Sequence, residues 1–431
     1  MLKHSMVNQI FPHLRTIGSW IVLAILPLQL FSQSLNLDSC QHLAKINYPL
    51  SKQSELLSKS REYSLDNLNK GFWPQLNIGG QATYQSDVTE IPLRLPGISI
   101  PSVPKDQFKI YGEVNQPITD LITVGKQKEV QRAQSYVQAA NLEVELYKLR
   151  DRVNQLYFGI LMIDAQLRQN ELLKNDIQTG LNKINAALAN GTEYKSNSDK
   201  LKAELLRANQ KTIELNVARK AYLEMLSQFI HVTLQENTIL ETPAQQTIAA
   251  NINRPELNYY SSRDKSFDAQ KKLLSARNLP KFGLFFQGGW GQPSPVNLLS
   301  KDLSSYYIAG IRLNWSVSGL YTLHKEKALI ELDRKMNDSQ KETFLFNTTS
   351  TNSQINAEIN KLLLLLNTDD EIVQLRTSIK SRAQVQLENG IITTNDYLKE
   401  ISAEDQARQN KILHEIQLLL AVYTQQYTTG N

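Results

Sequence analysis

Four segments of the chain alternate apolar with polar side chains, and the long stretches between them bring apolar residues back every three or four positions. Leu76, Ile78, Gly80, Ala82 and Tyr84 share one parity, as do Phe108, Ile110, Gly112 and Val114. Phe282, Leu284, Phe286, Gly288 and Trp290 form a third row, and Tyr307, Ala309, Ile311, Leu313 and Trp315 a fourth. Successive strand residues point to opposite faces, so this pattern predicts four strands, each with one apolar and one mostly polar side. Lys109, Tyr111, Glu113 and Asn115 lie opposite the second row, and Ile308, Gly310, Arg312 and Asn314 opposite the fourth. The proline-bearing connections, 85–107 with Pro92, Pro96, Pro101 and Pro104 and 291–305 with Pro293 and Pro295, read as loops because proline cannot donate to a ladder.

Between the strand pairs the period changes. Lys126 to Ala189 contains no proline, and as one helix it would run about 95 Å. Val130, Ala133, Val137, Ala140 and Val144 form one seam. Leu142, Leu146, Leu149, Val153, Leu156, Ile160, Ile163 and Leu167 form another on a different face, so this helix should have neighbours on two sides. A second long run, Thr322 to Asn389, has similar length, and its "NTTSTNSQ" (347–354) predicts a less regular stretch. Medium helices are expected over 198–231 and 396–428, and short ones over 50–72 and 256–279.

These elements come in two sets. Asn-x-Pro opens each, and a second proline follows 25 residues later: Pro49 to Pro74, and Pro255 to Pro280. "GEVNQPITDLITVGKQKE" (112–129) corresponds to "GIRLNWSVSGLYTLHKEK" (310–327), and "LANG" (188–191) to "LENG" (387–390). An ordered series of this kind is the mark of an internal repeat. It divides the chain into 34–240 and 241–431, each with short helix, two strands, long helix, turn and medium helix. Residues 1–33, with Lys3 and Arg15 ahead of "IGSWIVLAILPLQLF" and then "SQS", read as a secretory signal peptide.

The apolar rows have about the length of a tilted membrane strand, and Trp73, Tyr84, Trp290 and Trp315 stand near their ends as interfacial aromatics would. The helices also lack the apolar surface to cover such a sheet. Four strands cannot close a barrel, because the smallest membrane barrels use eight, and open edges in lipid strand their backbone groups. Sister chains must therefore complete it. The alternative is a soluble sheet, carried by a periplasmic helical spacer.

Composition narrows the rest. Hydrophobic content of 41% and aromatic content of 8% favour long helices with narrow seams over a large enzyme core. A net charge of +5 without charged blocks gives no reason to expect a nucleic-acid partner. The single cysteine, Cys40, cannot form an internal disulfide; "LDSC" is a poor lipidation box, and a buried thiol is the plainer reading. The six histidines form no metal-ligand pair, and "GGWG" lacks the helix and lysine of a phosphate cradle. No catalytic site, cofactor or metal is expected.

The ordered features resemble the TolC-like outer-membrane efflux and secretion ducts over nearly the whole mature chain. The resemblance rests on the Asn-x-Pro openings, Pro74 and Pro280 ahead of the hairpins, "NWSVSGLY" in place of a Trp-Pro-containing segment, and the two "NG" turns. It implies a mainly α chain with membrane β: a homotrimer whose twelve-stranded outer-membrane β-barrel, four strands per chain, continues into an α-helical periplasmic tunnel. It also implies a Gram-negative outer membrane, a periplasmic adaptor protein and an inner-membrane pump as partners, and export of small molecules or, alternatively, of proteins by type I secretion. Matched onto this chain, the adaptor-contacting tips are Asn190, Gly191, Thr192 and Asn389, Gly390, Ile391. Asp396 stands where relatives place a gate aspartate, and Lys399 where a second acid is found, which argues for weak cation affinity. Asp396 equally suits a helix cap, with Asn395 beside it.

Overall fold

The computed structural model describes residues 35–89, 97, 102–244, 251–298 and 300–431. The expected signal peptide, and Pro92, Pro96 and Pro101 of the first loop, lie outside the described residues. The elements run α1 (Leu37–Asn47), α2 (Gln53–Asn69), β1 (Gln75–Tyr84), β2 (Asp106–Pro117), α3 (Asp120–Ala189), α4 (Lys195–Ile230), α5 (Pro255–Arg277), β3 (Lys281–Gln292), β4 (Ser304–Asn314), α6 (Gly319–Glu388) and α7 (Thr394–Thr429). The long helices α3 and α6 each have 70 residues, and the medium helices α4 and α7 each have 36.

Both seams of α3 are used, on different neighbours. Val130 and Ala133 pack on Ala269 and Leu273 of α5. Leu142, Leu146 and Leu149 pack under Tyr48, Leu50, Leu57 and Phe229. Farther along, Val153, Tyr157, Phe158 and Ile160 meet Leu223, Leu226 and Ile230 of α4 together with Leu37, Cys40 and Ala44 of α1. The last three recur at helical spacing behind an Asn36 cap that accepts a hydrogen bond from the Ser39 amide at 2.8 Å. The sequence reading passed over α1, whose short apolar stripe becomes informative only once its groove exists.

Another expectation fails at 347–354. α6 is continuous there. The reason is a tertiary contact: Gln425 of α7 donates from Nε2 to Asn352 (2.9 Å) and Asn356 (2.6 Å), holding weak helix formers in register.

Two closures define the middle of the molecule. Leu35 bridges Leu240 in parallel, with the Tyr157 hydroxyl between them, 2.6 Å from the Leu35 carbonyl and 2.7 Å from that of Glu241. At the other end of the sequence Asn253 donates its amide to Thr429 O at 2.6 Å, and Asn431 Nδ2 reaches Asn251 O at 3.0 Å. Arg254 locks this second closure. Its guanidinium lies 4.8 Å from the ring centres of both Tyr147 and Tyr427 and is held by Glu256.

The four strands form one antiparallel sheet in the order β1-β2-β3-β4. Its register places Leu76 opposite Val114, Ile110 opposite Trp290, and Leu284 opposite Ile311, so all four apolar rows share one face. On the other face aromatic rings lie over glycines. A Cβ at Gly79 would stand 2.7 Å from the Tyr111 ring, and one at Gly310 would stand 3.0 Å from Phe285. Gly289 is tighter, since a Cβ there would meet the β2 backbone itself, 2.7 Å from Tyr111 Cα. Gly289→Ala is therefore expected to cost about 2 kcal/mol or more, read as a lower melting temperature in detergent. Gly112→Ala, which meets nothing within 4 Å, should leave it unchanged.

Candidate functional site

The strands carry the first part of the site. Their shared apolar face is bare: Ile78 is 88% exposed, Leu76 77%, Tyr307 74% and Ile311 72%. Among the described residues no helix covers it, and β1 and β4 each have one unpaired edge. Trp73 and Trp315 stand exposed at the helical end of the sheet, and Tyr84 and Trp290 near its loop end. Trp315 is anchored there by donating from Nε1 to Asn278 O at 3.2 Å. The polar face carries Arg312, paired with Glu113 at 3.0 Å and stacked 4.5 Å from the Phe285 ring centre. Lys281 pairs with Asp120 at 3.2 Å, and the Lys109 ammonium lies 5.7 Å over Tyr111.

The second part lies at the far ends of the long helices. α3 and α6 each end in Asn, a glycine at positive φ and one more residue that closes the turn. Gly191 has φ 72° and Gly390 has φ 67°. The Gly191 amide bonds Leu188 O and the Thr192 amide bonds Ala187 O, both at 3.0 Å. Gly390 and Ile391 repeat this on Leu387 O and Gln386 O at 3.0 and 2.9 Å. This double closure requires a residue at ease in the left-handed region. Ile391 is 70% exposed, an apolar side chain with nothing over it. Lys183 and Glu388 tie the two helices together just before the turns.

Asp396 sits in the first turn of α7, but the N-cap is Thr393, not Asn395 or Asp396. Thr393 Oγ1 accepts from the Asp396 amide at 3.2 Å, and Asp396 Oδ2 accepts from the Thr393 hydroxyl at 2.7 Å and its amide at 3.4 Å. Lys399 donates to the other carboxylate oxygen at 3.3 Å. The Thr393 hydroxyl first, then Lys399, hold this carboxyl below the usual aspartate range. The aspartate and lysine singled out in the sequence are thus one hydrogen-bonded pair.

Sequence reasoning missed a buried charge cluster one helical stretch behind the tips. Lys380 of α6 reaches Asp176 of α3 at 2.8 Å and Glu404 of α7 at 2.6 Å. Glu404 also accepts from Arg408 at 2.7 Å and from Thr377 at 2.8 Å. Burial pulls Glu404 upward, but its bonds to Lys380, Arg408 and Thr377 outweigh that and leave it below the ordinary range. Burial likewise works against the Lys380 charge, and Asp176 and Glu404 outweigh it, leaving the ammonium above its ordinary range. Only the pairing across 204 residues between Asp176 and Lys380 reveals this cluster, and no local signal marks it. Cys40 is fully buried, with its thiol pushed up to about 12 by desolvation, so it is an inert core residue. Among the described residues no cluster of three His, Cys, Asp or Glu could hold a metal, and no helix is long and apolar enough to cross a membrane.

This geometry has close parallels among solved structures. The Neisseria gonorrhoeae MtrE outer membrane channel, in its open state, superposes with a TM-score of 0.67 at 13% identity, over 92% of this chain and 89% of that one. The Vibrio cholerae outer membrane protein VceC gives 0.66 at 11%, over 92% and 96%. The Campylobacter jejuni CmeC outer membrane channel gives 0.65 at 12%, over 91% and 85%. This is the TolC-like duct fold. No family model and no curated protein matches the sequence. In the duct fold the four-stranded sheet is a part of a barrel that a single chain leaves open.

The charge cluster gives a pH dependence with a definite sign. Glu404 is held ionised, so its contribution is present above the ordinary glutamate range and is lost as pH falls through its lowered value. The Lys380 contribution is lost only as pH rises past the ordinary lysine range. Glu404→Leu is expected to reduce hydrogen-exchange protection of α7 near residue 404 by about 3 kcal/mol at neutral pH. That difference from wild type should shrink below about pH 4.

Proposed function

We propose that the chain is the outer-membrane exit duct of a tripartite efflux system in a Gram-negative bacterium. Three copies close a twelve-stranded barrel in the outer membrane, and their helices form a tunnel through the periplasm. The observation that carries this reading is the bare apolar face of a sheet whose two edges are both unpaired. In water such a face would aggregate, whereas in lipid the edges must find partners. The polar face then lines a wet lumen. The tips Asn190, Gly191, Thr192 and Asn389, Gly390, Ile391 contact a periplasmic adaptor, and an inner-membrane pump supplies the energy. Asp396, already engaged by Thr393 and Lys399, lies where the tunnel narrows. The division at residue 240 separates two halves that each give one hairpin to the barrel and one helix pair to the tunnel.

The parallels to solved channels support the fold of this reading. A periplasmic spacer is the weaker alternative, because nothing in a spacer would cover the apolar rows. The test uses the full chain with cysteine at Thr192 or Ile391; Cys40 is buried and will not compete. Detergent-dependent extraction from outer-membrane fractions and crosslinking of both tip thiols to a co-expressed adaptor are expected. Release in buffer alone would defeat the membrane assignment, and tip thiols that capture no adaptor would defeat the tip assignment.

A further inference from the structure

We propose that Lys109 makes the outer part of the lumen anion-selective, an inference that rests on the duct reading above. The argument is a charge inventory of the polar face. β1 contributes Gln75, Asn77, Gly79, Gln81 and Thr83, with no charge at all. The other three strands contribute one carboxylate, Glu113, and three cations, Lys109, Lys281 and Arg312. Arg312 neutralises Glu113 at 3.0 Å, and Asp120 at the head of α3 neutralises Lys281 at 3.2 Å. Lys109 has no carboxylate partner among the described residues. Its neighbour is the face of Tyr111, which leaves the positive charge in place.

The register isolates that charge. The ladder through Lys109 reads Gln81, Lys109, Gly291 and Ser304, so the side chains beside it are neutral or missing. At Gly291 the uncharged turn Pro293–Pro295 fills that flank, 2.9 Å from where a Cβ would stand, and brings no carboxylate to Lys109. Tyr111, held flat against the wall by Gly79, keeps the next level low as well. The rim beyond carries Asp87, Lys105, Asp106, Lys301 and Asp302, both signs interspersed in open solvent. Three copies therefore place a ring of three like charges just inside the loop end. With strands spaced about 4.8 Å apart around twelve, each ammonium comes within about 10 Å of the axis. The Debye length is about 30 Å at 10 mM salt and about 3 Å at 1 M, so the ring's field fills the lumen in dilute salt and vanishes in concentrated salt. Anionic solutes gain at this level, and cationic ones are opposed.

The test is the reversal potential of the purified full-length protein in planar bilayers under a KCl gradient centred near about 10 mM, repeated near about 1 M. Lys109→Gln should lower the chloride-to-potassium permeability ratio on the order of threefold in dilute salt, and Lys109→Glu should lower it further. Both differences should disappear in concentrated salt. An unchanged ratio for Lys109→Glu in dilute salt, with normal conductance, overturns the assignment. A shift of equal size from Lys105→Glu overturns it too, by placing selection at the rim. Absence of any conductance from the wild-type protein defeats the duct reading instead, which keeps the two failures apart.

Discussion

The constraint on which this structure depends is the pairing of backbone amides and carbonyls along the outer edges of β1 and β4. Each unmet group in hydrocarbon costs several kcal/mol, and no side-chain adjustment can supply the missing partner. β1 offers ten residues and β4 eleven, nearly equal edges of opposite position in the sheet. A heterologous joint of one to the other generates a closed ring if the rotation closes. Once closed, it has an apolar exterior, because the register within the chain already puts every apolar row on one side. In the proposed duct, oligomerisation and a wet interior would both follow from this one hydrogen-bond requirement.

Both helix pairs combine apolar clusters with polar matches. The α3–α4 contact sets Val153, Tyr157, Phe158 and Ile160 against Leu223, Leu226 and Ile230, pairs Arg219 with Asp164, and has Asn170 donate to Thr212 at 2.9 Å. The α6–α7 contact packs Leu362 on Leu418 and Val422, and gathers Ala383 and Leu387 with Tyr397 and Ile401 nearer the tips. Gln425 bridges two asparagines, His414 Nδ1 lies 2.6 Å from Asp369, and Glu404 gathers Lys380, Arg408 and Thr377. Close-packed apolar side chains and polar matches alike hold these helices in register.

Much of this was legible in the sequence, and the exceptions share a cause. Period-two and period-3.6 patterns are local properties, so the four strands, the long helices and the common apolar face could be read from spacing alone. The glycine turns at 191 and 390 were legible because their backbone demands a particular residue. What escaped was non-local: α1, whose three apolar residues gain meaning only beside α3 and α4; the unbroken helix at 347–354, held by Gln425; and the Asp176–Lys380–Glu404 cluster, assembled from three helices. The role of Asp396 was half visible. Its type and spacing marked a helix start, but the cap proved to be Thr393, three residues earlier.

The meeting of Leu35 with Leu240, and of Asn251 and Asn253 with the last residues of α7, has an architectural meaning. Each half begins where it finishes, like a ribbon folded back to its own clasp. Tandem copying of such a piece stretches no existing joint. In the proposed trimer, three chains would become six near-equivalent staves, and the cylinder would inherit a pseudo-sixfold order that no single gene product displays.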